Sequence, residues 1–172
     1  ANPSSAHAFG FEAEKTLRAA RAAVLAALGF TPSEGSLVFT GSGSEADNLA
    51  LRGAAHALAR RGRHIVLSDS EHPAVENTAK DLEKEGFTVS RISTESGKLD
   101  LDEARAVLTP DTILVSCMAV NNETGAIYDI ASLASLAKAL CPNALFHTDA
   151  VQAFLKTPFR YSKVGMASVS GH

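Results

Sequence analysis

The sequence has only two cysteines, and this scarcity excludes a disulfide framework as the basis of the fold. Cys117 lies within an apolar run at residues 113–118, and Cys141 follows a helical pattern. Both thiols are therefore expected to be buried in a reducing compartment. A reactive thiol needs an exposed, electropositive setting, which the sequence around neither cysteine supplies. These features predict a cytoplasmic protein whose two cysteines are structural.

The chain also lacks an excess of positive charge and long apolar runs. Its net charge is -3, and no cluster of Lys and Arg offers a footprint for a phosphate backbone, so nucleic acid is not an expected partner. No apolar run is long enough to span a bilayer, and the first residues do not resemble a signal peptide, so no membrane association is expected. A chain of 172 residues suffices for one domain with its own core.

Helical and strand patterns alternate along the chain, which predicts a three-layer α/β/α domain with a mostly parallel sheet. Helices are predicted at residues 11–28, 44–62, 73–86, just after 100 and 129–140. Strands are predicted at residues 37–40, 64–68, 87–92, 112–118, 145–148 and 166–169. Ser44 is expected to cap its helix, with Asp47 three positions on, and Asp100 to form a capping box with Glu103.

A glycine-rich turn, Thr-Gly-Ser-Gly-Ser at residues 40–44, joins a predicted strand to a predicted helix. Its glycines let the backbone approach a ligand closely, and the helix N-terminus favours an anion such as phosphate. The spacing matches neither a Walker A loop nor a dinucleotide-binding fingerprint. On local grounds a simple capped helix start is at least as good an interpretation.

Other polar residues directly follow predicted strands, and such turns gather at one edge of a parallel sheet. His72 precedes a helix, where a lone histidine is usually a cap. Asn122 belongs to an Asn-Asn-Glu-Thr-Gly segment that is typical of a turn. Asp149 ends the strand-like segment Phe-His-Thr-Asp, where helix capping is the common role for a carboxylate.

A metal site built from His72, His147, Asp149 and His172 is a weak alternative, because none of them has the His-x-x-x-His type of spacing. We therefore expect no metal, and we expect His147 to be a structural strand residue.

Together and in this order, these motifs resemble the cysteine desulfurases of the NifS/IscS type, which belong to the class-V aminotransferases and use pyridoxal 5′-phosphate (PLP). The resemblance runs from Asn2 to His172 and implies a large domain of PLP fold type I. It implies that the cofactor phosphate is held by Gly43, Ser44, Ser170 and His172. The same resemblance gives the cofactor ring four further contacts, which are His72, Asn122, Asp149 and Gln152.

The resemblance also implies a role for each ring contact. His72 stacks on the pyridine ring and moves protons, which makes it the one catalytic candidate. Asp149 pairs with the ring nitrogen and keeps it protonated. Asn122 lies near the phenolic oxygen of the cofactor, and Gln152 lies beside it.

The implied activity is the conversion of L-cysteine to L-alanine and an enzyme persulfide, which supplies iron–sulfur cluster assembly or other sulfur transfer. Implied partners are a second copy in a homodimer and a sulfur-acceptor or scaffold protein. Residues 170–172 are Ser-Gly-His, and in the family the residue after this motif is the cofactor lysine, followed by a loop cysteine and a small domain. We therefore expect residues 1–172 to be an incomplete cofactor-binding large domain that is inactive alone. Alternatives are a related PLP-dependent aminotransferase or lyase, and a non-catalytic PLP- or phosphate-binding fragment.

Overall fold

The computed structural model describes residues 2–157 and 164–171, which divide into two compact units. The first unit covers residues 2–39 and contains helix α1, Ala8–Ala27. This helix begins three residues before the predicted start because the His7 ring caps it by accepting a hydrogen bond from the Gly10 N–H. Gly29 follows with a φ of 83°, the left-handed conformation expected of a glycine after a helix.

The second unit covers residues 40–157 and 164–171 and contains a five-stranded sheet between helices. Its helices are α2 Gly43–Leu58, α3 Pro73–Lys84, α4 Leu101–Val107 and α5 Ile130–Leu140, with a 3-10 turn at Glu95–Gly97. Its strands are β1 His64–Ser68, β2 Thr88–Ile92, β3 Thr112–Ser116, β4 Leu145–Asp149 and β5 Met166–Ser168. The strand order is β2-β1-β3-β4-β5, and every neighbouring pair is parallel.

Both faces of this sheet are covered, as a parallel sheet requires. Every residue of β1 and of β3 is buried. This explains why neither strand alternates apolar and polar residues. Helices α2 and α3 pack together, as do α4 and α5, so the sheet lies between two helical layers. The predicted three-layer α/β/α architecture is confirmed. Among the residues that the structure describes, no helix has both the length and the apolar character needed to cross a bilayer.

The strand predicted at residues 37–40 is wrong. Within the described ranges, the sheet contains only β1 to β5, and residues 35–40 have no regular secondary structure. Val38 and Phe39 are 64% and 49% exposed, so their apolar character does not reflect core packing within their unit. An apolar tetrapeptide becomes a strand only where a neighbour completes its backbone hydrogen bonds.

Two predicted caps also differ from the structure. Ser42, rather than Ser44, caps α2, because its hydroxyl accepts the hydrogen bond from the Glu45 N–H. This helix ends at Leu58 and not at residue 62. Asp100 caps α4 as predicted, but Glu103 does not complete the capping box, because its carboxylate accepts a hydrogen bond from the Ser93 N–H at 2.6 Å.

Candidate functional site

The sheet order reverses between β1 and β3, and ligands of open α/β sheets bind at such a switch point, beyond the carboxyl ends of the strands. A cavity of about 230 Å³ lies at this edge of the sheet. It is lined by Gly43, Ser44, Asp47, His72, Met118, Asn122, Asp149, Val151 and Gln152. Six of the eight predicted site residues therefore meet in one cavity.

The two other predicted site residues are not part of this lining. Ser170 follows β5 and is partly buried, but it does not line the cavity. His172 lies outside the described residues. The structure therefore supports the convergence of the motifs after β1, β3 and β4 with the first turn of α2.

The first turn of α2 forms one wall of the cavity. The N–H groups of Gly43 and Ser44 belong to a helix start, where the backbone offers no intrahelical acceptor. A Cβ atom on Gly43 would lie 3.1 Å from Cγ2 of Val151, which is tighter than ordinary van der Waals contact. The Glu45 carboxylate turns back and accepts a hydrogen bond from the Gly41 N–H at 2.6 Å. This wall can hold an anion by its backbone N–H groups.

His72 both caps α3 and lines the cavity. Its Nδ1 accepts a hydrogen bond from the Ala74 N–H at 3.1 Å, and Pro73 occupies the first turn. An accepting Nδ1 fixes the neutral ring as the tautomer that carries its proton on Nε2. Capping thus uses Nδ1 of His72 and not Nε2.

Asp149 ends β4 and is only 6% exposed. Its Oδ1 accepts a hydrogen bond from the Val151 N–H at 2.9 Å, which fixes the carboxylate as the chain turns away from the strand. Burial raises the pKa of Asp149, while the Val151 N–H and His72 act in the opposite direction. A cationic ligand at this carboxylate would favour its ionised form.

Two neighbouring asparagines after β3 occupy different environments. Asn121 organises the turn, because its Oδ1 accepts hydrogen bonds from the N–H groups of Glu123 and Thr124 at 3.0 and 2.8 Å. Its Nδ2 donates to the Ser70 carbonyl at 3.1 Å, which ties this turn to the one after β1. Asn122 lines the cavity instead. Gln152 also lines the cavity, and its Oε1 accepts a hydrogen bond from Lys156 Nζ at 3.0 Å.

Glu71, which the sequence did not single out, joins the ends of β1 and β3 directly before His72. Its Oε1 accepts hydrogen bonds from the Ser68 hydroxyl at 2.5 Å and from the Met118 N–H at 2.9 Å. Burial raises the pKa of Glu71 to about 8, although both hydrogen bonds oppose the shift. At neutral pH this carboxyl is therefore mostly protonated. In the sequence, only its position after a buried strand could have indicated its role.

A second missed carboxylate belongs to Asp47, which is 1% exposed. Burial, and after it the neighbouring Asp149, raise the pKa of Asp47 to about 7. Asp47 shares the buried side of α2 with Leu51, Ala54 and Ala55, and this helical spacing is the signal that could have found it.

His147 is a buried structural residue, as predicted. Its Nδ1 lies 2.9 Å from the Ser116 hydroxyl and its Nε2 lies 3.0 Å from the Ser168 hydroxyl. Burial lowers the pKa of His147 to about 3, so the ring is neutral. Both cysteines are buried, as predicted, and burial raises the pKa values of Cys117 and Cys141.

The donor set of the cavity suits a phosphorylated aromatic ligand with a basic ring nitrogen. It combines helix N–H groups for an anion, an imidazole face, two amides and two buried carboxylates. No group of three or more His, Cys, Asp or Glu in residues 2–157 and 164–171 has the arrangement of a metal site.

A fully parallel sheet with an anion-binding helix start and a buried carboxylate at its carboxyl edge defines a ligand-binding α/β domain. The chain belongs to the class-V aminotransferase family, whose model matches residues 1–172. It is 46% identical over 99% of its length to a cysteine desulfurase of Nostoc sp., of which the match covers 42%. It is also 42% identical over 99% of its length to the cysteine desulfurase IscS of Klebsiella pneumoniae, again covering 42% of that protein.

Solved structures agree with this assignment. A NifS-like protein matches with a TM-score of 0.93 and 37% identity over 100% of this chain and 47% of that chain. A structure of SspA in complex with cysteine matches with a TM-score of 0.86 and 37% identity over 100% of this chain and 49% of that chain. The predicted fold, a partial large domain of PLP fold type I, is therefore confirmed. The chain spans less than half the length of the curated relatives it matches.

Proposed function

We propose that this chain is the cofactor-binding part of a PLP-dependent cysteine desulfurase, which converts L-cysteine to L-alanine and an enzyme persulfide. The observation that carries the proposal is the single cavity that gathers the α2 N-terminus, His72 and Asp149. Relatives named cysteine desulfurase and a neighbour solved with cysteine support the choice of substrate.

The residues of the cavity fit the cofactor. The phosphate would be held by the N–H groups of Gly43 and Ser44, which line the cavity. The family resemblance alone adds Ser170 and His172 as further contacts. A side chain at position 43 would crowd the approach, because its Cβ would meet Val151 at 3.1 Å. When bound, PLP supplies an electron-withdrawing ring that stabilises negative charge on the substrate carbon next to it.

Asp149 and His72 would govern protons around this ring. An ionised Asp149 favours a protonated ring nitrogen, and its Oδ1 is already fixed by the Val151 N–H. His72 keeps Nδ1 occupied by the Ala74 N–H, so its Nε2 is the atom that would exchange a proton with the substrate. Asn122 and Gln152 would contact the ring oxygen with their amide groups.

The proposal includes the setting of the domain. Residues 1–172 form the cofactor-binding large domain, and the lysine that binds the cofactor, the sulfur-accepting cysteine and the small domain lie outside them. The protein acts as a cytoplasmic homodimer and passes sulfur to an acceptor or scaffold protein for iron–sulfur cluster assembly. The names of the relatives support the sulfur transfer, and the two buried thiols support a reducing, cytoplasmic location. The exposed apolar side chains Phe9 and Phe11 support a homodimer.

The test uses the polypeptide that carries this sequence in its full natural length. We expect it to bind PLP and to release alanine from L-cysteine in the presence of a thiol reductant. Asp149→Asn should lower alanine production at least a hundredfold, because it removes the charge that holds the ring nitrogen protonated. Asp129→Asn is the matched control, since Asp129 only caps α5, where it accepts from the Ser132 N–H. PLP binding without alanine production from cysteine would refute the desulfurase assignment.

A further inference from the structure

Asp47 is a buried carboxylate that the proposed function leaves without a role. It lines the cavity, although it is only 1% exposed. Its Oδ1 is buried and accepts no hydrogen bond from the part of the chain that the structure describes. Such an atom normally costs stability, because its desolvation is not compensated by a partner. A buried carboxylate oxygen without a hydrogen bond at the wall of a cavity indicates a role toward a ligand.

A row of polar side chains lies next to this carboxylate. His147 precedes Asp149 by two positions on β4, so both side chains leave the same face of the sheet. Its Nε2 lies 3.7 Å from Asp47 Oδ1 and 3.0 Å from the Ser168 hydroxyl. Its Nδ1 lies 2.9 Å from the Ser116 hydroxyl. Side chains from β3, β4 and β5 thus form a continuous polar row that reaches Asp47.

The direction of the hydrogen bonds in this row depends on the charge of Asp47. A neutral imidazole has one N–H donor and one acceptor nitrogen. An ionised Asp47 favours the tautomer with its proton on Nε2, directed toward the negative charge, while the Ser116 hydroxyl donates to Nδ1. A protonated Asp47 removes that preference. The ring is then free to adopt the opposite tautomer, in which Nδ1 donates to Ser116 and Nε2 accepts from the Ser168 hydroxyl.

We propose that Asp47 is a positioning residue that supplies a second negative charge beside Asp149, keeps the ring nitrogen of the cofactor protonated, and reverses the Ser116–His147–Ser168 row when it ionises. This inference rests on the proposed function, since it assumes a ligand with a basic ring nitrogen at Asp149. A nearby negative charge increases the proton affinity of both the carboxylate and the nitrogen that pairs with it.

The charged groups around Asp47 are consistent with this role. Burial and then Asp149 raise the pKa of Asp47, and the nearby Ser168 hydroxyl opposes the shift. Asp47 in turn raises the pKa of Glu71, which is protonated at neutral pH. His147 is neutral, and Glu45 on the same helix is bound to the Gly41 N–H. A cationic ring nitrogen would lower the pKa of Asp47 and favour its ionised form, whereas a bound phosphate dianion would raise that pKa. The effects of the ring nitrogen and of the phosphate are therefore tested separately.

The first experiment follows the His147 tautomer by nitrogen-15 NMR in the cofactor-free, full-length polypeptide. The wild-type ring should change from Nδ1–H to Nε2–H as the pH rises, with a midpoint at about 7, the pKa of Asp47. In Asp47→Asn, which is nearly equal in size, the tautomer should not change with pH. A wild-type tautomer that stays constant on both sides of pH 7 would overturn the proposal. Titration with inorganic phosphate alone should shift the wild-type midpoint upward.

The second experiment compares PLP with its carbocyclic analogue, in which C–H replaces the ring nitrogen. Wild-type protein should prefer PLP, and Asp47→Asn should lower this preference about tenfold, the equivalent of one pKa unit at the ring nitrogen. Asp129→Asn should leave it unchanged. Equal preferences in wild type and Asp47→Asn would overturn the role of Asp47 while leaving the proposed function intact. Binding of neither compound would instead overturn the proposed function and this inference with it.

The thermal unfolding midpoint of Asp47→Asn checks that this variant folds. If it does not fold, the tautomer titration of the wild-type protein decides alone.

Discussion

Replacing Glu71 separates the two properties of this side chain, its hydrogen bonds and its capacity to ionise. Glu71→Gln keeps an Oε1 that can accept from the Ser68 hydroxyl and the Met118 N–H, and it removes the proton equilibrium. The pKa of Glu71 rises from 4.5 to about 8 on folding. The folded state therefore binds the proton more tightly than the unfolded state, so the wild type loses stability as the pH rises between these values.

The magnitude follows from linkage. One pKa unit corresponds to about 1.4 kcal/mol, so the whole shift is worth about 5 kcal/mol, of which about 4 kcal/mol falls between about pH 5 and pH 9. Titrating groups that do not interact with Glu71 are common to both proteins and cancel in the comparison, whereas Asp149 and Asp47, which raise its pKa, add a smaller contribution. Relative to wild type, Glu71→Gln should therefore gain about 4 kcal/mol in free energy of unfolding across this range. Urea denaturation of both proteins at several pH values measures this difference.

Glu71→Ala is the matched comparison, because it removes the acceptor as well as the charge. It leaves the buried Met118 N–H without its partner, which costs about 1–3 kcal/mol at every pH. A constant difference between wild type and Glu71→Gln at all pH values would refute the reasoning, since it would mean that Glu71 titrates alike in the folded and unfolded states.

Two further predictions concern Gly43 and the thiols. Gly43→Ala should weaken the binding of PLP about tenfold or more in an equilibrium titration, because the new Cβ meets Val151 at 3.1 Å, whereas Gly53→Ala in the same helix meets nothing within 4 Å and should leave binding unchanged. Equal losses in the two variants would contradict the crowding argument. Cys117 and Cys141 should resist a thiol reagent in the native protein and react with it after unfolding, because both are buried with raised pKa values. Rapid labelling of the native protein would show that the thiols are accessible.

Most of the fold could be predicted because its signals are local. Strands β1 and β3 are apolar runs bounded by polar turns, and Pro73 and Asp129 mark helix starts by chemistry that is independent of their neighbours. The segment at residues 37–40 has an equally apolar pattern but no pairing partner in the described sheet. Whether an apolar run becomes a strand depends on residues distant in the sequence, which a local pattern does not contain.

The candidate site could be predicted where polar residues follow strands, as Asp149 follows β4. The choice between Ser42 and Ser44 as the cap of α2 could not, because both serines satisfy the same rule and only the backbone conformation at Ser42 distinguishes them. Asp47 and Glu71 were missed for a different reason. Their importance comes from desolvation, and an acidic residue in a sequence does not reveal whether it is buried.

The path of the chain has a consequence for biosynthesis. Helix α2 precedes all five described strands in the sequence, yet it packs against β3, β4 and β5, which are synthesised well after it. Until those strands emerge, the inner side of α2, with Leu51, Ala54 and Ala55, has only part of its eventual cover. A nascent chain at that stage exposes apolar helix surface and presents a substrate for chaperones that hold unfinished proteins. The first turn of α2 and the Asp149 carboxylate are therefore brought together only after β4 has been made and has paired with β3.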